Sequence, residues 1–146
     1  MELKIKITRP GARVPAYATP GSAAMDLCAA CPESVTVAPG ARVLIPTGIA
    51  IELPGPEFVA LVFARSSLGV RHGMALSNGV GVIDSDYRGE IQVGLVNLSD
   101  TAYTIAPGER IAQMAVMPVA HAQITVADTL SDTGRGEGGF GSTGKF

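Results

Sequence analysis

Apolar and polar residues alternate with a period of two along most of this chain, in short runs broken by turn residues. Met1-Glu2-Leu3-Lys4-Ile5-Lys6-Ile7 sets the pattern and predicts a first strand over Leu3–Ile7. The same reading predicts strands at Met25–Ala29, Val35–Val37, Val43–Pro46, Gly48–Leu53 and Phe58–Phe63. Further on it predicts Met74–Ser77, Val80–Ile83, Ile91–Asn97, Tyr103–Ile105, Ile111–Pro118 and Gln123–Val126. Ala38-Pro39-Gly40, Leu53-Pro54-Gly55-Pro56 and Ala106-Pro107-Gly108 supply turns between them. No window sustains a helical period, and Ser66-Ser67-Leu68 predicts a single helical turn. The expected class is all-β, a sandwich or distorted barrel of short strands. From Asp132 the chain turns to Gly, Ser, Thr and charge, which cannot fill a core. The expected organisation is therefore one β domain over residues 1–131 with a flexible Gly-rich C-terminal arm over residues 132–146.

Composition sharpens this picture. At 146 residues the chain is long enough for one real core and too short for two. Hydrophobic residues make up 47% of it, yet Trp is absent, so Val, Ile, Leu and Ala must build the interior. The formal charge of −2, with no basic run, argues against a nucleic-acid polymer as partner, because such binding neutralises many phosphates. No stretch reaches the apolar length of a membrane span, and the N-terminus lacks the apolar core of a signal peptide. Cys28 and Cys31 form a lone C-x-x-C without the two further ligands that a zinc site needs. They are expected to be reduced structural cysteines in a cytoplasmic protein.

The most informative stretch is Gly81-Val82-Ile83-Asp84-Ser85-Asp86-Tyr87-Arg88-Gly89-Glu90. It sets two carboxylates, an aromatic ring and an arginine between the apolar runs Met74–Val82 and Ile91–Val96, and predicts a polar hairpin tip. Alone it reads as a solvated turn. Four more segments accompany it. They are Ser22-Ala23-Ala24-Met25-Asp26-Leu27, Ala64-Arg65-Ser66-Ser67-Leu68-Gly69, Pro107-Gly108-Glu109-Arg110-Ile111-Ala112-Gln113-Met114 and the tail from Arg135 to Gly144. In the tail Gly136, Gly138 and Gly141 satisfy G-x-G-x-x-G, but that fingerprint works only where a strand leads into a helix.

These five segments, in this order and spacing, resemble the motifs of the trimeric dUTPase family, from about Ser22 to the end of the chain. The resemblance implies a jelly-roll-like fold, a homotrimer with shared active sites, and conversion of dUTP to dUMP and pyrophosphate with Mg2+. Such a substrate carries about four negative charges, so its hydrolysis needs cations on the phosphates and a base for water. Arg65 and Arg135 supply charge, and Ser66, Ser142 and Thr143 supply hydroxyls. Asp84 or Asp86 qualifies as the base. The resemblance assigns that role to Asp84, aided by Gln113, with water attacking the α-phosphorus. It implies that Asn78, Gly79, Val82 and Ile83 hold the uracil edge, largely through the backbone. Tyr87 resembles the ring under the deoxyribose, and Arg65, Ser66 and Ser67 the residues on the phosphate chain. Arg135, Phe140, Gly141, Ser142 and Thr143 resemble the closing tail, with Phe140 over uracil and Arg135 at the γ-phosphate. Asp26 and Asp86 are implied as supporting residues. No protein side chain is implied as a direct metal ligand, Mg2+ being held by phosphates and water.

Ala64 stands where the family has Pro, and Ser67 where Gly is common. Arg65-Ser66-Ser67-Leu68 also resembles the dCTP deaminases, which share the fold. A deaminase needs a glutamate facing the cytosine amino group, and none of the motifs supplies one. A third reading, a non-catalytic nucleotide-binding β domain, would require lost catalytic positions, whereas all five motifs keep theirs.

Overall fold

The computed structural model describes residues 1–140. Twelve strands and one helix follow in the order β1 (Lys4–Ile7), β2 (Ala16–Tyr17), β3 (Met25–Cys28), β4 (Val35–Val37), β5 (Arg42–Pro46), β6 (Ile49–Glu52), β7 (Phe58–Ala64), α1 (Ser66–His72), β8 (Met74–Leu76), β9 (Gly81–Ile83), β10 (Gln92–Asn97), β11 (Tyr103–Ile105) and β12 (Arg110–Pro118). Every pairing is antiparallel. The largest sheet runs β2-β3-β12-β7-β9; a second runs β5-β10-β8; β1-β6 and β11-β4 form two-stranded ribbons. The interior is the one that composition demands. Leu27, Ile45, Ile49, Met74, Leu95, Ile105, Ile111 and Met114 are each under 2% exposed. Burying one such side chain contributes about 1.5–3 kcal/mol.

Most predicted strands form within a residue or two of their expected ends. Three expectations are corrected. Gln123–Val126 is no strand: Ile124 and Val126 are 90% and 95% exposed, and no described strand pairs with this segment. Alternation gives a segment two unlike faces, but a strand also needs a partner edge. The helical turn at Ser66 extends to His72, where Gly73, at φ 66°, caps it with bonds from its N–H to the carbonyls of Gly69 and Leu68. Finally, the Asp84–Glu90 segment is an arch between sheets rather than a hairpin tip. β9 pairs with β7 while β10 pairs with β5 and β8, so the outer part of the expected hairpin forms through β8 on β10, but β9, which leads directly into the segment, does not pair with β10. β2, only two residues long, is too short for its period to register in the sequence.

Among the described residues, no helix is long and apolar enough to cross a membrane. Cys28 and Cys31 are free thiols, and burial pushes the Cys28 thiol above its ordinary range.

Candidate active site

β9 lies at the edge of the five-stranded sheet, with β7 on one side only. An edge strand leaves a row of main-chain N–H and C=O groups free for another partner. Before it, Gly79 at φ 76° turns the chain, and Val80 N–H bonds to Asn78 O at 2.9 Å. Only glycine adopts that φ without steric cost. After it comes the arch, closed by Tyr87 N–H on Asp84 O at 3.2 Å and by Arg88 on Ser85 O at 2.7 Å. The cleft so formed has a volume of about 400 Å3, within the range of small-molecule sites. Its walls include Asn78, Gly81, Val82, Ile83, Asp84 and Tyr87. Ser85 and Asp86 face a neighbouring groove together with Arg88 and His121.

A second group gathers where β12 runs between β3 and β7. Register sets Gln113 opposite Asp26 on one side and Phe63 on the other. Arg65 Nε meets Asp26 Oδ1 at 2.8 Å, and Arg110 Nη1 meets Asp26 Oδ2 at 3.2 Å. Gln113 Nε2 donates to Ala64 O at 3.0 Å. Two arginines on one carboxylate leave a net positive corner. Arg65, Arg110 and Ser67 border a cavity of about 380 Å3 there. Ser66 and Ser67 open α1 exposed, and neither hydroxyl caps the helix.

Arg110 is a residue that motif reading passed over. On a regular strand it would face away from Gln113, three positions on, but a register shift between Arg110 and Ala112 lets it reach Asp26. Nothing in the sequence marks that bulge. Glu109 is structural, accepting bonds from Tyr103 Oη at 2.5 Å and from Ala106 N–H at 2.9 Å.

The two groups line separate cavities with no residue in common. The described part of the tail lines neither. Arg135 Nε bonds to Gly138 O at 2.6 Å, and the Phe140 ring is wholly exposed. The expectations for Gly141, Ser142 and Thr143 lie outside the described residues. Asp26 is engaged by arginines, and no cluster of three His, Cys, Asp or Glu among the described residues forms a metal cage.

The topology defines an all-antiparallel β protein with an edge-strand cleft and an arginine corner. The dUTPase family model matches residues 11–144, and the chain belongs to that family. It is 50% identical over 145 residues to the deoxyuridine 5'-triphosphate nucleotidohydrolase of Albidiferax ferrireducens, covering 99% of this chain and 97% of that one. It is 54% identical over 132 residues to the Desulfitobacterium hafniense protein of the same name, covering 90% of this chain and 87% of that one. Among solved structures, the Staphylococcus bacteriophage 80alpha dUTPase with dUpNHpp superposes with a TM-score of 0.89 at 26% identity, covering 98% of each chain. The fold also matches a phage phi11 dUTPase described with a structural Mg(II) ion, at a TM-score of 0.82 and 19% identity, over 90% of this chain and all of that one.

Proposed function

We propose that this chain hydrolyses dUTP to dUMP and pyrophosphate, supplying dUMP for dTMP synthesis and keeping uracil out of DNA. The observation that carries the reading is the edge-strand cleft ending in Asp84, in a chain that the dUTPase family covers almost end to end. Uracil lies along β9, where Asn78 and the main chain from Gly79 to Ile83 pair with its edge. The amino group of cytosine would mismatch that pattern and leave buried polar groups unpaired. Tyr87 lies under the deoxyribose, where a 2′-hydroxyl would clash. Asp84 accepts a proton from water as it attacks the α-phosphorus, and the bond from that phosphorus to the bridging oxygen of pyrophosphate breaks. Gln113 orients the water, while Arg65, Ser66 and Ser67 hold the phosphates. Asp26 fixes Arg65, and Asp86 supports the arch.

Mg2+ would be held through the substrate's phosphate oxygens and water rather than by protein side chains, and would supply neutralisation of the triphosphate charge. The active unit is a homotrimer in the cytoplasm. In it the arch of one chain, the Arg65–Gln113 corner of another and the tail of residues 132–146 complete each site. In that tail Phe140 covers the base, and Arg135, Gly141, Ser142 and Thr143 close on the phosphates.

The test is to incubate the protein with each deoxynucleoside triphosphate, and with UTP, in the presence of Mg2+, and to identify products. The expected result is dUMP and pyrophosphate from dUTP, with dCTP, dTTP and UTP turned over poorly. Ammonia release from dCTP would overturn it.

A further inference from the structure

The Tyr87 ring is held in place from a distance. Its hydroxyl donates to Glu90 O at 3.1 Å, and the ring lies so close over Gly89 that a Cβ there would collide with the phenol. The position of the ring therefore depends on where the Glu90 backbone sits. Glu90 is fixed by its own side chain, which is 14% exposed. One carboxylate oxygen takes Arg9 Nη2 at 2.5 Å, and the other takes Gly48 N–H at 2.8 Å. These partners come from two other parts of the chain, the segment after β1 and the turn between β5 and β6.

The junction has almost no slack. Gly48 adopts φ 72°, and a Cβ on it would stand 2.5 Å from Ala12 Cβ and 2.9 Å from Arg9 Cγ. The next residue along the arch is clamped as well, because Ile91 O accepts Thr47 Oγ1 at 2.6 Å and Ile91 N–H donates to Ile49 O at 2.8 Å. The Arg9 side chain is 39% exposed, yet its Nε is the one buried side-chain nitrogen or oxygen lacking a partner among the described residues. An orphaned donor costs free energy. Glu90 also belongs to the wall of the Asp84–Tyr87 cleft.

We infer that Arg9 and Glu90 are positioning residues that set the sugar-sensing ring of Tyr87 and so contribute to the choice of deoxyribose over ribose. This inference rests on the dUTP reading above. The sequence gives no hint of it, since Arg9 lies outside all five motifs and 81 positions from its partner.

The experiment is a double-mutant cycle on kcat/KM for dUTP and UTP, in the wild type, Arg9→Met, Tyr87→Ala and the pair, with thermal unfolding of each. Arg9→Met is expected to lower the dUTP/UTP ratio about fivefold, the scale of one net hydrogen bond. Arg9→Lys, which keeps the charge, should recover part of it. In the Tyr87→Ala background, Arg9→Met should change the ratio no further, because residues acting through one another are not additive. Glu90→Gln reads the same ratio should Arg9→Met fold poorly. Three results are decisive against the inference. If Arg9→Met or Glu90→Gln slows both substrates equally while Tyr87→Ala changes the ratio, the junction is merely structural. If Tyr87→Ala leaves the ratio unchanged, the ring does not sense the sugar and the inference falls with it. Absence of dUTP turnover in the wild type removes the underlying reading instead.

Discussion

Asp84 stands exposed where edge strand β9 ends and the arch begins, and no ion pair among the described residues engages it. A carboxylate so placed can accept a proton from a water bound beside it. Asp84→Asn should therefore leave the thermal unfolding midpoint within a few degrees of wild type while lowering kcat by about two to four orders of magnitude. A variant that keeps more than about a tenth of the activity assigns the base elsewhere. Asn97 is the opposite case. It is fully buried and makes four bonds: from Nδ2 to Val37 O at 2.9 Å and Thr101 O at 2.8 Å, and to Oδ1 from Ser99 N–H at 3.0 Å and Ser99 Oγ at 2.7 Å. Asn97→Ala strands buried partners and should lower unfolding free energy by roughly 2–4 kcal/mol in denaturant titration, with activity per folded molecule unchanged. A loss under about 0.5 kcal/mol would mean that water replaces the side chain. Reading along the chain, Asn97 is only the polar end of an apolar run. Its role depends on Val37, 60 positions away, and no local pattern carries that.

At the scale of elements, alternation told most. Val35–Val37 and Tyr103–Ile105 form as predicted, and the other strong strands shift only at their ends. What periodicity could not tell is pairing. Gln123–Val126 alternates as well as Leu3–Ile7 does, yet only the latter finds an edge, on β6. The Asp84 segment is legible as chemistry, and β8 pairs with β10 across it, but nothing in the turn shows that β9 leaves for the edge of β7. The ribbon β4-β11 offers a pH test of how one element is tied down. Burial and the Glu109 carboxylate raise the Tyr103 hydroxyl from 10.0 to about 12. A raised folded value means that the native state holds the proton more tightly than the unfolded chain. The stabilisation is then complete below pH 10, and it is lost as pH climbs through about 12. Stability of wild type and Tyr103→Phe, measured by denaturant unfolding from pH 8 to 12, should differ by a constant amount up to about pH 10 and converge above it. A gap that ignores pH would show that the hydroxyl does not retain its proton through Glu109.

For the whole molecule, the decisive observation is that one chain keeps the proposed site residues apart. The Asp84–Tyr87 arch and the Arg65–Asp26–Gln113 corner open into different cavities, and Arg135 and Phe140 lie in neither. Beyond Pro118 the described chain forms no strand, and Ile124, Val126, Leu130 and Phe140 stand in solvent. A segment whose apolar side chains stand in solvent has reason to seek a neighbouring copy, and the closed trimer proposed above would place neighbours within its reach. Consider two inactive variants, Asp84→Asn with a full tail and a chain ending after Asp132 with Asp84 intact. Unfolded, mixed in equal amounts and refolded together, they form trimers at random. If each site takes its arch from one chain and its tail from another, half the arches and half the tails are intact. About a quarter of the sites should then recover full activity under this cyclic assembly. If arch and tail come from a single chain, every site carries one defect or the other and no mixture recovers. Activity that stays at the level of the separate variants, in trimers shown to be mixed by differential tagging, therefore rules the shared site out.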